Sequence, residues 1–416
     1  MKVAARDKKP AITGHPWKML IWLLTAQIMV AFIGRSLAPL GVLIEEDLSL
    51  SKVQVGLLPS ALFLGQAMAS IPIGLAVDRI GSKRMLLVSS LLIGISFLLM
   101  TFQSAFWLVL FLIMIGGLGY GGMHPTTNKG IIYWFSQRQR GTAMGIKQMG
   151  ITFGSALSAI LLLPLAASYG WRIVVLIACL CLVVTGVVAF LFYRDPPQET
   201  EISKEKSSFK SIYSSIMKMV NNKPLFLVSL SAMGVNGSQM CLNTYLVLFA
   251  YEQLSISLIL AGMLLVISEV SGSLGRVGWG MISDHLFDGK RLIILVFIAS
   301  ITLCVSVIVA FIPDGTPFWL LVPIFTVFGF SVSGFNGIWM NLASELVPKE
   351  QAGLSSGFSI TLGSAGVIII PPVFGFFVDQ NQSYTFSWLF ISVIMIVVLF
   401  ILARLSSIKD KSISSA

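Results

Sequence analysis

The chain alternates long apolar runs with short polar turns. Windows of about 20 apolar residues mark helices that cross a membrane. Twelve such windows lie near residues 17–43, 53–77, 84–103, 106–134, 142–168, 171–193, 224–250, 257–282, 291–312, 318–346, 354–378 and 385–405. One interval breaks the rhythm. Residues 194–223 are polar and charged, open with RDPPQETEISKEK, and divide the helices six and six. The pattern predicts an all-α membrane protein: an N-terminal six-helix bundle over residues 1–193, a linker over 194–223 and a C-terminal bundle over 224–416. Within the linker, Phe209, Ile212, Ile216 and Met219 recur at helical spacing, with Lys210 and Lys218 off that stripe. That predicts a helix lying on the membrane surface; a partner-docking helix is the other reading. The first apolar run begins near Trp17 and is too long for the apolar core of a cleavable signal, so it is expected to stay as a membrane helix.

Composition agrees with the pattern. Of 416 residues, 56% are hydrophobic and 11% charged, with a mean hydropathy of +0.89, whereas soluble domains carry about 25% charge. The net charge of +10 fits loops facing an anionic inner leaflet better than a nucleic-acid partner. With the N-terminus inside, inner loops and tails hold 22 of the 28 basic residues and outer loops only Lys52 and Arg172. The predicted topology is therefore N-in and C-in, in a plasma membrane such as a bacterial inner membrane. Cys179, Cys181, Cys241 and Cys304 all fall in apolar runs and read as small buried hydrophobes. The sequence has no metal-ligand cluster, nucleotide loop or serine–histidine–acid arrangement, so no cofactor, metal or enzymatic activity is expected.

A repeat relates the halves. Gly74 and Asp78 in GLAVDRIGSKR match Gly280 and Asp284 in GMISDHLFDGKR, 206 residues later. Gly81, Lys83 and Arg84 correspond to Gly289, Lys290 and Arg291, and RGTAMG at 140–145 to AGLSSG at 352–357. Internal repeats with a site between them mark secondary transporters. In such a loop, glycine permits a tight helix hairpin, Asp78 can pair with an arginine or cap a helix N-terminus, and Arg79, Lys83 and Arg84 hold the inner surface. The cluster can latch one conformation and release in another. GLAVDRIGSKR resembles the signature loop between helices two and three of the major facilitator superfamily. The copy between helices eight and nine is weaker, with His285 where an arginine is usual and one extra residue before Gly289. The resemblance spans essentially the whole chain. It implies the major facilitator fold, two pseudo-symmetric six-helix bundles rocking about a central site.

Ionisable groups inside membrane helices are functional hypotheses by default. Arg35 in FIGRSLAPL lies in the outer half of helix one. The sequence around it resembles the anion:cation symporter branch, which implies that Arg35 contacts an anionic substrate. In well-known members an aspartate linked to proton coupling stands where this chain has Gly34. Helix four, GYGGMHPTTNKGIIYWF, resembles the same branch through Pro125, Asn128 and Lys129. Tyr120, His124 and Asn128 share a broad face, while Lys129 lies about 100° round from Asn128 and can face the cavity or snorkel to the inner surface. Lys147 either opens to the cavity or snorkels. Helix five, where it lies, lacks the glycine-proline motif usual in drug–proton antiporters. Glu269 near mid-membrane suits a residue that loads and unloads a proton, or forms a buried ion pair. Arg276, seven residues on, is expected to be structural and to pair with Glu345. Asn236, Gln239 and Asn243 on helix seven, with Asn336 and Trp339 on helix ten, either line the site or glue helices.

Four bases against one deep acid favour an anionic substrate over a lipophilic cation. The expected function is proton-coupled transport of a small organic anion, a carboxylate or sugar acid, by alternating access in a monomer embedded in the bilayer. Two alternatives remain: a proton-coupled drug or metabolite exporter on the same fold, and a solute sensor that does not transport.

Overall fold

A computed structural model describes residues 15–195, 217, 219–348 and 352–414. Most of the amphipathic linker stripe (Phe209, Ile212, Ile216) lies outside the described residues; Met219 is buried. Every regular element among the described residues is helical. The first half comprises α1 (Pro16–Gly34), α2 (Gly41–Leu48), α3 (Lys52–Ile80), α4 (Ser82–Met100), α5 (Phe106–Trp134), α6 (Gln137–Leu157), α7 (Leu163–Tyr169) and α8 (Trp171–Phe192). The second comprises α9 (Lys223–Glu252), α10 (Leu258–Leu286), α11 (Arg291–Ala310), α12 (Phe318–Val332), α13 (Asn336–Glu345), α14 (Ala352–Asn381) and α15 (Thr385–Ser414). Twelve helical segments among them are long and apolar enough to cross a membrane. With outward faces such as Leu191, Phe192, Val393 and Phe400 exposed, the chain is a multi-pass membrane protein.

Twelve crossings put the start of α1, the central linker and the end of α15 at one end of the molecule, here the tail end. The opposite end is the loop end. Two crossings are not the continuous helices that hydropathy predicts. The run over 17–43 stops at Gly34, turns through Arg35–Leu40 and resumes as α2. Pro39 in that turn lacks the N–H a continuing helix would donate. The run over 318–346 breaks at Ser333–Phe335, between α12 and α13. A third departure is a π-helical turn at Ser158–Leu162 joining α6 to α7.

Local chemistry sets the ends of several helices. Ser51 and Gln54 form a reciprocal capping box at the start of α3 (2.9 and 3.2 Å), satisfying two otherwise orphan N–H groups. Gly81, with φ +91°, separates α3 from α4 in a backbone region closed to most side chains. In the first half α5 packs on α3 and α4, and α1 on α6. In the second, α9 packs on α14, α10 on α12 and α11 on α15. Small residues permit these crossings: a Cβ added to Gly117 on α5 would lie 3.0 Å from Gly65 Cα on α3. The halves meet mainly where α3 packs on α14 and α6 on α10.

Of the four cysteines, Cys179 and Cys241 are buried, but Cys181 and Cys304 lie on exposed outward faces. The expectation of four buried thiols is thus corrected for two: an apolar run does not say which face of its helix looks outward.

Candidate functional site

The break after α1 places Arg35 where the two halves meet. Arg35 lines a narrow cavity with Phe63 of α3, Ser155 of α6, Asn243 of α9 and Glu269 of α10. Its Nε donates to Tyr120 Oη at 3.3 Å, and its guanidinium lies 5.4 Å from the Phe63 ring centroid, within cation–π range. No carboxylate forms an ion pair with Arg35 among the described residues. Facing it, Glu269 is only 7% exposed. Glu269 Oε1 accepts from Asn243 Nδ2 at 2.9 Å and from Ser155 Oγ at 3.2 Å. Ser155 belongs to the first half and Glu269 to the second, so this bond joins the halves at mid-membrane. The carboxylate also lies within electrostatic reach of Arg35.

Gly34 has a structural reason to lack a side chain. A Cβ there would come 2.6 Å from Tyr120 Cδ2. The Tyr120 ring that orients Arg35 thus fills the space an acid at position 34 would need. The cavity's carboxyl group comes instead from Glu269, across the interface.

The structure brings only some of the expected residues to this cavity. Arg35, Asn243 and Glu269 line it, and Tyr120 reaches it through Arg35. His124, one turn tailward of Tyr120, is within electrostatic reach of Arg35 and Lys147. Asn128 accepts from Lys147 Nζ at 2.8 Å. Lys147 is 1% exposed, so it does not snorkel. Lys129 turns away: its Nζ donates to Val77 O at 2.6 Å, near the tail end of α3, and lies 5.7 Å from the Tyr133 ring. Asn236 and Trp339 meet around Gly363 inside the second half, with Trp339 Nε1 bonded to Ser359 Oγ at 2.8 Å. Asn336 turns back to Ser333 O at 3.5 Å, and Gln239 is half-buried on α9. These four side chains are not among the residues lining the cavity with Arg35.

The signature loops separate in detail. Arg79 is exposed and Gly74 has open space around it. The N-terminus of α4 is held by Asp195, the first acid of the linker, whose carboxylate accepts from Lys83 N at 3.0 and 3.2 Å. In the second loop Gly280 is open and Lys290 is exposed, while Arg291 bridges Asp284 at 3.5 Å and Glu345 at 2.5 Å. The Arg276–Glu345 pair expected from sequence is therefore not formed. Glu345 is taken by Arg291, and Arg276 Nε donates to Ser333 O at 3.3 Å.

Sequence reasoning missed a second constellation, at the loop end. Lys52 Nζ bonds Glu45 and, at 2.6 Å, Glu252. Asp379 of α14 accepts from Lys52 N at 2.8 Å and Val53 N at 2.9 Å, capping α3 from the opposite half. Tyr245 Oη donates towards Lys52 O at 2.7 Å, and Tyr384 Oη to Glu252 at 2.7 Å. Glu45 lies outside the membrane spans. Burial pushes its carboxyl up to about 7, with Glu252 and Asp379 adding to the rise and Lys52 opposing it. Its second oxygen is buried and has no hydrogen-bond partner among the described residues.

Twelve crossings in two halves around a cavity that holds Arg35 and Glu269 among apolar side chains define a secondary-transporter architecture. The sequence profile of the Major Facilitator Superfamily matches residues 23–371, and the chain belongs to that superfamily; it is a transporter-family protein and not an enzyme. It is similar to the hexuronate transporter of Bacillus subtilis (strain 168), 24% identical over 362 residues, covering 83% of this chain and 84% of that protein. It is also similar to the probable galactarate/D-glucarate transporter GudP of the same organism, 24% identical over 377 residues, with 84% and 82% coverage. The crystal structure of a point mutant of the nucleoside transporter NupG shares the fold, with a TM-score of 0.79, 16% identity and coverage of 93% and 99%.

Proposed function

We propose that the protein imports a small organic anion, a sugar acid or related carboxylate, coupled to protons, across a plasma membrane such as a bacterial inner membrane. The observation that carries this reading is Arg35: a guanidinium at the interface of the halves, oriented by Tyr120 and without a carboxylate partner among the described residues. A buried charge is costly unless an opposite charge meets it, and a guanidinium suits a carboxylate. The names of the two similar transporters point to the same substrate class.

Glu269 supplies the coupling. A proton on Glu269 removes the negative charge nearest Arg35, so proton and anion favour each other's binding, and linkage makes the effect reciprocal. Protonation also weakens what the carboxylate accepts from Ser155, the bond that joins the halves. The tail end, rich in Arg79, Lys83, Arg84, Lys290 and Arg291, is the cytoplasmic end. The two loop-end bases support this orientation, since both are neutralised locally: Lys52 by Glu45 and Glu252, Arg172 by Asp47 at 2.8 Å. With the loop end sealed, the described conformation faces inward.

A thermal-stability screen of detergent-purified protein tests the reading, because a bound ligand raises apparent stability by mass action. Sugar acids are expected to raise the melting temperature of the native protein and to leave Arg35→Gln unmoved. A shift with lipophilic cations alone, retained in Arg35→Gln, would favour export of cations instead.

A further inference from the structure

We propose that the site takes anions with two acidic groups, one held by Arg35 and the other by Arg276; this rests on the organic-anion reading above. Arg276 is not among the residues lining the cavity with Arg35. It lies on the same face of α10 as Glu269, seven residues and therefore about two turns tailward, so the second acidic group would extend tailward from the cavity. Sequence alone suggested a structural arginine, but its expected partner Glu345 is engaged by Arg291. Arg276 Nε donates to Ser333 O, where α12 breaks. Arg35 Nε donates to Tyr120 Oη. In both guanidinium groups the terminal nitrogens have no acceptor among the described residues. Those terminal nitrogens can grip a carboxylate through two parallel hydrogen bonds.

The two arginines come from opposite halves. Each is within electrostatic reach of Glu269 and Tyr120, and Arg276 is within reach of Arg35. Like charges so placed repel until an anion lies between them. The charge balance points the same way. Arg35, Lys147 and Arg276 bring three positive charges to the interior, Glu269 brings one negative, and among the described residues Lys147 is met by the neutral Asn128. With Glu269 ionised, a monoacid leaves this group one positive charge in excess and a diacid neutralises it. With Glu269 protonated, as in the coupled state, the excess is two and one, so the diacid is the better match in both. A diacid held at both ends also ties the halves together across the cavity, which links occupancy to rocking.

The competing account makes Arg276 a cap for the carbonyl end of α12 and nothing more. That account predicts no discrimination between ligands. Titration calorimetry on the purified full-length protein separates the two, using galacturonate and galactarate as a matched monoacid and diacid. Galactarate is expected to bind at least tenfold more tightly. Arg276→Gln is expected to erase that preference by weakening galactarate far more than galacturonate, and Arg276→Lys to retain part of it. Equal affinity of the native protein for the two acids would overturn the proposal, as would an equal loss of both in Arg276→Gln. Should Arg276→Gln fail to fold, the ranking in the native protein and in Arg276→Lys decides. Arg35-dependent galacturonate binding without diacid preference would end the two-armed site and leave the organic-anion reading standing. Binding of neither acid would end both.

Discussion

At the loop end the halves are bound backbone to side chain. Asp379 caps α3 from across the interface, Lys52 reaches Glu252, and Ser60 Oγ donates to Ile368 O at 2.8 Å. The tail end differs. Among the described residues, every hydrogen bond and ion pair between the halves lies at the loop end or at mid-membrane. Glycines mark the same difference. A Cβ on Gly56 would come 2.7 Å from Pro371 O, and one on Gly375 2.5 Å from Lys52 C. Around Gly74, Gly145, Gly280 and Gly357, towards the tail end, an added Cβ would meet nothing within 4 Å. Where the halves meet at the loop end, Gly56 and Gly375 are used for contact already made. On the proposed cycle, the open glycines towards the tail end leave room for contact when that end closes. In the proposed alternating-access cycle, the two ends are one pole and the surfaces its other pole would use.

The contrast can be broken in order of expected effect. The reporter is a cysteine at Ser60, beneath the seal, in a background without the native cysteines, labelled by an impermeant maleimide from the loop-end side. Gly56→Val should act most strongly, since overpacking a contact of this kind costs about 1–3 kcal/mol; labelling should rise tenfold or more. Unchanged labelling would mean the seal does not depend on this approach. Asp379→Ala removes a cap and should cost about 1 kcal/mol, a several-fold rise in labelling with no change at a tail-end reporter. The response to pH is smaller. Glu45 holds its proton up to about pH 7 in the sealed state, and solvent contact on opening returns it towards the ordinary carboxylate range. The sealed state therefore binds the proton more tightly. Raising the pH from the ordinary carboxylate range to about 7 weakens the seal, acidification through that window strengthens it, and above 7 the effect levels off. Maleimide labelling rises with pH through the thiolate itself, so the comparison is with the same cysteine in Glu45→Gln. The native protein should show the steeper rise between pH 6 and pH 8, and an equal or shallower rise contradicts this assignment. Least of all, Gly145→Ala, which meets nothing in this state, should leave loop-end labelling as it was. A change would show that the tail end is already packed in solution.

The twelve crossings were legible because a membrane helix must write about 20 apolar residues into the chain. The breaks at Arg35–Leu40 and Ser333–Phe335 were not, since hydropathy stays high through both. Arg35, Asn243 and Glu269 stood out as polar groups in apolar surroundings. Ser155 and Phe63, which share their cavity, carry no such mark. Lys129 and Lys147 show the limit most clearly: both are lysines near the tail-end side of a crossing, yet one turns to Val77 O and the other is buried against Asn128. Facing is decided by helix rotation, which composition does not encode. The loop-end seal was illegible for another reason. Lys52 finds Glu252 and Asp379 some 200 and 327 residues away, and a lone basic residue in an outer loop does not say which distant acid will meet it.

The central claim is that Arg35 binds the transported anion and Glu269 carries the coupled proton. The most direct measurement is uptake of radiolabelled sugar acid into proteoliposomes, with and without an imposed proton gradient. Gradient-driven uptake is predicted for the native protein. Glu269→Gln should keep exchange of labelled for unlabelled acid but lose its response to the gradient, and Arg35→Gln should lose both. Native rates of exchange in Arg35→Gln, or undiminished gradient-driven uptake in Glu269→Gln, would contradict the account.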